Sequence, residues 1–227
     1  MTLKFEGISL DSITDVKYNG TSLDYLKLNG TTVWEKIVEQ EILNLSWTHM
    51  TTGASTTFIN NIYSNNDTDT RFIAPSISST FGNINNLQSL SFEANINMQD
   101  KTIGGKDFYI GFYESQTISW LTLKISEGVK GSTSLYSLTE SDIYDKIQNN
   151  TWYTYKFTVF PDDKAIQLKV YETNNNNVIY YLSKYTDSQI QQNFPTWLKN
   201  SNTTARIALY GQQSQNENLC KVFYTQN

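Results

Sequence analysis

Residues 149–172 read NNTWYTYKFTVFPDDKAIQLKVYE. From Tyr153 every second residue is apolar or aromatic: Tyr153, Tyr155, Phe157 and Val159. Polar turn residues interrupt the pattern, and it resumes at Ile166, Leu168 and Val170. Successive side chains of a strand point to opposite faces, so this stretch predicts two strands joined by a tight turn, each with one apolar face.

The same period recurs along the chain. Phe108, Ile110 and Phe112 alternate with polar or small residues, as do Leu121, Leu123 and Ile125, and shorter runs follow at 206–210 and 221–224. With Gly, Asn and Asp between the runs, this density predicts an all-β antiparallel sandwich or barrel. Helix is expected only at 139–148, where Thr139 and Asp142 resemble an N-cap box, and at 187–192.

Composition bounds the function. Of 227 residues, 38% are hydrophobic and 14% aromatic, enough for a core and too aromatic for a disordered chain. The net charge of -5, with no cluster of Lys and Arg, argues against a nucleic-acid surface. A single cysteine, Cys220, excludes an internal disulfide and a cysteine-built zinc site, and reads as a small packing residue. No stretch approaches the length of a membrane span, and the start, MTLKFE, has no apolar signal core. The expectation is synthesis in a cytoplasm without a signal peptide and no membrane partner.

The N-terminal region says nearly the same thing twice. In VKYNGTSLDYLKLNGTTVWEK, residues 16–36, the pairs Asn19-Gly20 and Asn29-Gly30 each sit between short alternating runs. Asn-Gly favours the type I′ turn of a two-residue hairpin, which pairs Tyr18 with Thr21 and Leu28 with Thr31. It also sets Val16 opposite Leu23 and Leu26 opposite Val33. Leu23 and Leu26 then fall on opposite faces unless a bulge near 24–25 realigns them. The predicted unit is a small β-meander over 13–36, within an N-terminal module of residues 1–38, followed by a sandwich over 41–227. A meander this small buries too little surface to fold alone, so it must dock on something.

Two resemblances follow from these residues. The duplicated segment, closed by Val33-Trp34-Glu35, resembles one found near the ends of structural proteins of tailed bacteriophages. The 149–172 stretch, together with ARIALYGQQSQNENLCKVFYT at 205–225, resembles concanavalin A-like and laminin-G-like domains. The second resemblance implies a jelly roll of two curved sheets. The first implies a virion protein, made in a host bacterium, whose partners are other virion proteins in repeated copies or a homo-oligomer. Asn19, Gly20, Asn29 and Gly30 would then be the attachment turns.

Candidate chemistry is sparse. His49, the only histidine, has no nucleophile motif around it. Glu140, Asp142 and Asp145 imitate the carboxylate spacing of sandwich glycosidases, but Asp145 replaces the expected Glu and the flanks suggest helical turns on a loop. No cofactor is expected. Calcium is the alternative, at Asp67 and Asp69 in the oxygen-rich stretch 65–70, which lacks the Gly and distal Glu of a calcium loop. Recognition remains. If Phe108, Ile110 and Phe112 face the core, Tyr109 and Tyr113 face out, and Trp120 joins them when the 119–125 strand is their hairpin partner. Such rings suit the apolar faces of sugars. Tyr180, Tyr181 and Tyr185 form a less clearly placed cluster, and Phe194 and Trp197 read as buried loop anchors.

The expected function is therefore a non-enzymatic virion protein of the tail, fibre or baseplate, binding host-surface glycans. A capsid decoration or head-fibre protein is the first alternative, and a polysaccharide-cleaving enzyme of the same fold the second.

Overall fold

A computed structural model describes residues 17–18, 21–22, 25–28, 31–35, 38–46, 48–49, 56–59, 62–65, 76–98, 108–114, 120–125, 136–138, 143, 146–199, 202–209 and 215–226. The chain divides into two compact units, residues 1–40 and 41–227.

The first unit is built from hairpins. Strand β1 (Lys17–Tyr18) pairs with β2 (Thr21–Ser22), and β3 (Tyr25–Leu28) pairs with β4 (Thr31–Glu35). Tyr18 lies opposite Thr21 and Leu28 opposite Thr31, the registers that two-residue turns impose. The hairpins form separate two-stranded sheets, with no ladder between β2 and β3 among the described residues. The register shifts within the second hairpin, between Leu26 and Lys27, and the expected bulge near 24–25 lies at the edge of the described residues and is not seen there. Leu26 therefore faces Trp34, not Val33. Val16, Leu23 and the four turn residues Asn19, Gly20, Asn29 and Gly30 lie outside the described residues.

The second unit is a two-sheet sandwich. Its eight-stranded sheet runs β16 (Val178–Tyr185), β15 (Ala165–Glu172), β14 (Trp152–Phe160), β10 (Leu87–Met98), β18 (Gln215–Gln226), β8 (Ile62–Asn65) and β7 (Thr56–Ile59). The short β5 (Gln40–Glu41) also pairs with β18. The six-stranded sheet runs β13 (Tyr136–Leu138), β12 (Trp120–Ile125), β11 (Phe108–Glu114), β17 (Thr203–Leu209), β9 (Ser76–Phe81) and β6 (Thr48–His49). The described ladders are antiparallel except β12 with β13. The chain changes sheets from β9 to β10 and again from β10 to β11, so each sheet collects strands distant in sequence. This is the jelly-roll, concanavalin A-like arrangement.

The core follows from strand parity. Leu90, Phe92, Ala94 and Ile96 of β10 stand in register with Val159, Phe157, Tyr155 and Tyr153 of β14. All eight are buried. Ile166, Leu168 and Val170 extend the layer through β15. From the other sheet come Ile110, Phe112 and Ala205, and the Phe92 and Phe112 rings meet at 6.2 Å between centroids. Each buried Val, Leu, Ile or Phe side chain among them contributes about 1.5–3 kcal/mol when it leaves water.

Loops close the core. The helix α1 (Ser188–Asn193) begins where expected, with Asp187 as its N-cap accepting the Ile190 N–H at 2.8 Å. Ile190, Phe194, Trp197 and Leu198 are buried beneath it, so the Phe194 and Trp197 rings do anchor this loop. In the 139–148 segment, the described residues make a tight turn in which the Lys146 N–H donates to the Ile143 carbonyl at 3.0 Å. Ile143 and Ile147 are buried, and the Gln148 N–H donates to the Tyr153 hydroxyl at 3.0 Å. Cys220 packs partly buried against the same core.

Candidate binding face

The inward parity of β10, β14 and β15 turns their other residues onto the outer face of the eight-stranded sheet. Paired residues make rows across it. One row is Gln167, Thr158, Ser91 and Phe223. The next is Tyr181, Lys169, Lys156, Glu93 and Lys221. A third is Tyr171, Thr154, Asn95 and Asn218, and a fourth holds Trp152, Asn97 and Asn216.

Hydroxyls and amides on this face bond across strands. Ser89 and Thr225 share a hydrogen bond at 2.7 Å, and Ser91 and Thr158 one at 2.9 Å. The Thr154 hydroxyl donates to Asn95 Oδ1 at 2.8 Å and lies 2.9 Å from the Thr173 hydroxyl. The Thr173 N–H donates to the Trp152 carbonyl at 2.9 Å, tying the turn after β15 to the start of β14. Ser89, Ser91, Thr154 and Thr158 are buried although they face away from the core.

Around this polar centre stand half-buried rings: Trp152, Tyr171 and Phe223. Tyr181 is 54% exposed and accepts a hydrogen bond from Gln167 Nε2 at 3.1 Å. Lysine ammonium groups lie over the rings, Lys156 5.0 Å from the Phe223 centroid and Lys169 5.2 Å from that of Tyr171. The Lys221 ammonium reaches the Glu41 carboxylate at 3.4 Å. On the inner side, burial pushes the Tyr155 phenol far above its ordinary range, helped by the neighbouring Tyr153, so it stays protonated.

The six-stranded sheet treats its expected aromatic face differently. Strands β11 and β12 are hairpin partners, and Tyr113 lies directly opposite Trp120 while Tyr109 lies opposite Lys124. Tyr113, however, is 8% exposed, and Gly111 on the same side is buried too. The Tyr113 ring is therefore largely covered. The side chains of Tyr109, Trp120 and His49 lie outside the described residues, as do Asp67, Asp69, Glu140, Asp142 and Asp145 altogether. Among the described residues no three His, Cys, Asp or Glu side chains gather as a metal site would require.

Sequence reading missed Asn95 and Asn97, and with them all of β10. The signal was present: Leu90, Phe92, Ala94 and Ile96 alternate as cleanly as the stretch at 153–159.

Comparison with known proteins speaks to the fold. No protein-family model matches the sequence and no curated protein matches it. Among solved structures, the winged bean acidic lectin complexed with methyl-alpha-D-galactose superposes with a TM-score of 0.51 at 10% identity, covering 83% of this chain and 99% of that one. Arcelin-5, a lectin-like defense protein from Phaseolus vulgaris, gives 0.49 at 6% identity over 83% of this chain and 98% of its own. The lectin from Bauhinia forficata in complex with GalNAc gives 0.48 at 9%, over 85% and 99%. At 10% identity what the winged bean lectin shares with this chain is the fold, a concanavalin A-like β-sandwich.

Proposed function

We propose that this chain is a non-enzymatic glycan-binding protein whose binding surface is the outer face of the eight-stranded sheet. The observation that carries the reading is the composition of that face. Neutral amides, Asn95 and Asn97, stand beside a layer of mutually bonded hydroxyls, Ser91, Thr158 and Thr154, and are bordered by Trp152, Tyr171, Phe223 and Tyr181. Sugar hydroxyls need many neutral donors and acceptors, and the C–H faces of sugar rings need aromatic surface. The winged bean lectin, of the same fold, is known in a complex with a galactoside.

The display reading rests on the N-terminal unit. The duplicated Asn-Gly segment resembles those of tailed-phage structural proteins, and its two hairpins are too small to be a self-sufficient fold. In this reading the hairpins attach the chain to a virion and repeated copies hold the sandwich outward. Weak contacts on many copies then sum to firm attachment to a host surface.

A glycan array probed with the full chain tests the binding half. Retention of at least one glycan is expected, and an array left blank at high protein concentration would refute it. Immunogold labelling of phage particles with antibody against residues 41–227 tests the display half. Gold on the tail or fibres is expected, and particles without gold would remove it.

A further inference from the structure

The geometry points to Asn97 as the centre of a primary subsite for one neutral sugar ring, with Trp152 as its stacking platform. This deepens the reading of the face as a glycan surface and rests on it. Asn97 is 8% exposed, and its Oδ1 is buried and meets no hydrogen-bond donor among the described residues. A buried acceptor without a donor carries its full desolvation penalty, so its presence calls for an explanation that the described side chains do not supply.

The surroundings say what the missing donor belongs to. Asn97 lies opposite Trp152 on β14 and opposite Asn216 on β18. Two residues back, Asn95 already accepts from the Thr154 hydroxyl at 2.8 Å, and Thr154 is linked to Thr173 at 2.9 Å. The acceptors and donors here are neutral, and the charged row of Lys156, Glu93 and Lys221 lies further along the strands. Among the described residues no charged side chain stands in the Asn97 row, so an ionic ligand finds no counter-charge there. A hydroxyl is the fitting neutral donor, because it can also accept from the amides beside it.

Size agrees with one ring. Side chains two residues apart on a strand are about 7 Å apart, and neighbouring strands about 5 Å. Trp152, Asn97, Asn95 and Thr154 therefore frame a patch of the breadth of one pyranose. The ring's C–H face lies on the indole, and the Asn97 amide turns outward on binding so that its Oδ1 accepts one hydroxyl.

The test uses the full chain and methyl glycosides of glucose, galactose, mannose and N-acetylglucosamine, followed by NMR of the side-chain amides. At least one glycoside is expected to shift the Asn97 amide signals. Asn97→Leu is expected to weaken that glycoside at least tenfold while melting no lower than the wild type, because the unpaired acceptor is gone. Equal binding by Asn97→Leu would overturn the subsite and leave the wider glycan face standing. A wild-type protein in which a glycoside binds without moving the Asn97 signals would do the same. A variant melting well below the wild type would assign Asn97 to the fold instead, and the inference would fall. Binding of none of the glycosides, with oligosaccharides still retained on the array, would overturn the one-ring subsite alone. A blank array as well would overturn the face.

Discussion

Asp187 holds two elements at once: its Oδ1 accepts the Ile190 N–H at 2.8 Å and its Oδ2 accepts the Tyr185 hydroxyl at 3.1 Å. Loss of an N-cap carboxylate costs about 0.5–2 kcal/mol. Asp187→Ala is therefore expected to lower stability by that amount in urea titrations, and an unchanged midpoint would mean that the cap is idle. Tyr155 makes a prediction in pH. Its phenol ionises near 10 when unfolded and is pushed far higher in the fold by burial. Above pH 10 the unfolded chain releases this proton and the folded chain keeps it, so the contribution is complete below pH 10 and declines as pH rises. One such group gives a slope of about 1.4 kcal/mol per pH unit. Tyr155→Phe should be less sensitive than the wild type between pH 10 and 11 by up to that slope, as measured by urea unfolding at each pH.

At the scale of elements, β10 is the strand on which both faces depend. Its inward side carries Phe92 against Phe112, and its outward side carries Ser91, Asn95 and Asn97. Phe92→Ala is expected to cost about 3–5 kcal/mol by deleting a fully buried ring. A double-mutant cycle with Phe112→Ala should return a coupling of about 0.5–1.5 kcal/mol, and additivity would deny the contact between sheets. The strand's alternation was legible in the sequence, as were β11, β12, β14, β15, β17 and β18, because period-two burial needs only local information. The site was not. Ser91 and Thr158 are 67 residues apart, and nothing local says that their hydroxyls meet. Likewise the covering of Tyr113 is a tertiary fact, since alternation places it opposite Phe112 but cannot say what lies above it. Trp152 could have been placed on the outer face by parity with Tyr153, yet its neighbour Asn97 enters only through strand order.

At the scale of the molecule, the sandwich carries its own core, whose buried members run from Leu87 to Val222. Residues 41–227 alone should therefore fold cooperatively and bind glycan as the full chain does, while failing to enter phage particles. Incorporation of a chain lacking residues 1–38 would contradict the attachment role proposed for the hairpins. The glycan surface proposed for this chain is the outer face of the eight-stranded sheet. It is tested most directly by binding isotherms of the wild type and a Trp152→Ala, Tyr171→Ala variant on the same array-selected glycan, with folding of both verified by circular dichroism. A loss of at least tenfold is expected, which corresponds to about 1.4 kcal/mol. An unchanged isotherm in a folded variant would contradict it and move the site off this face.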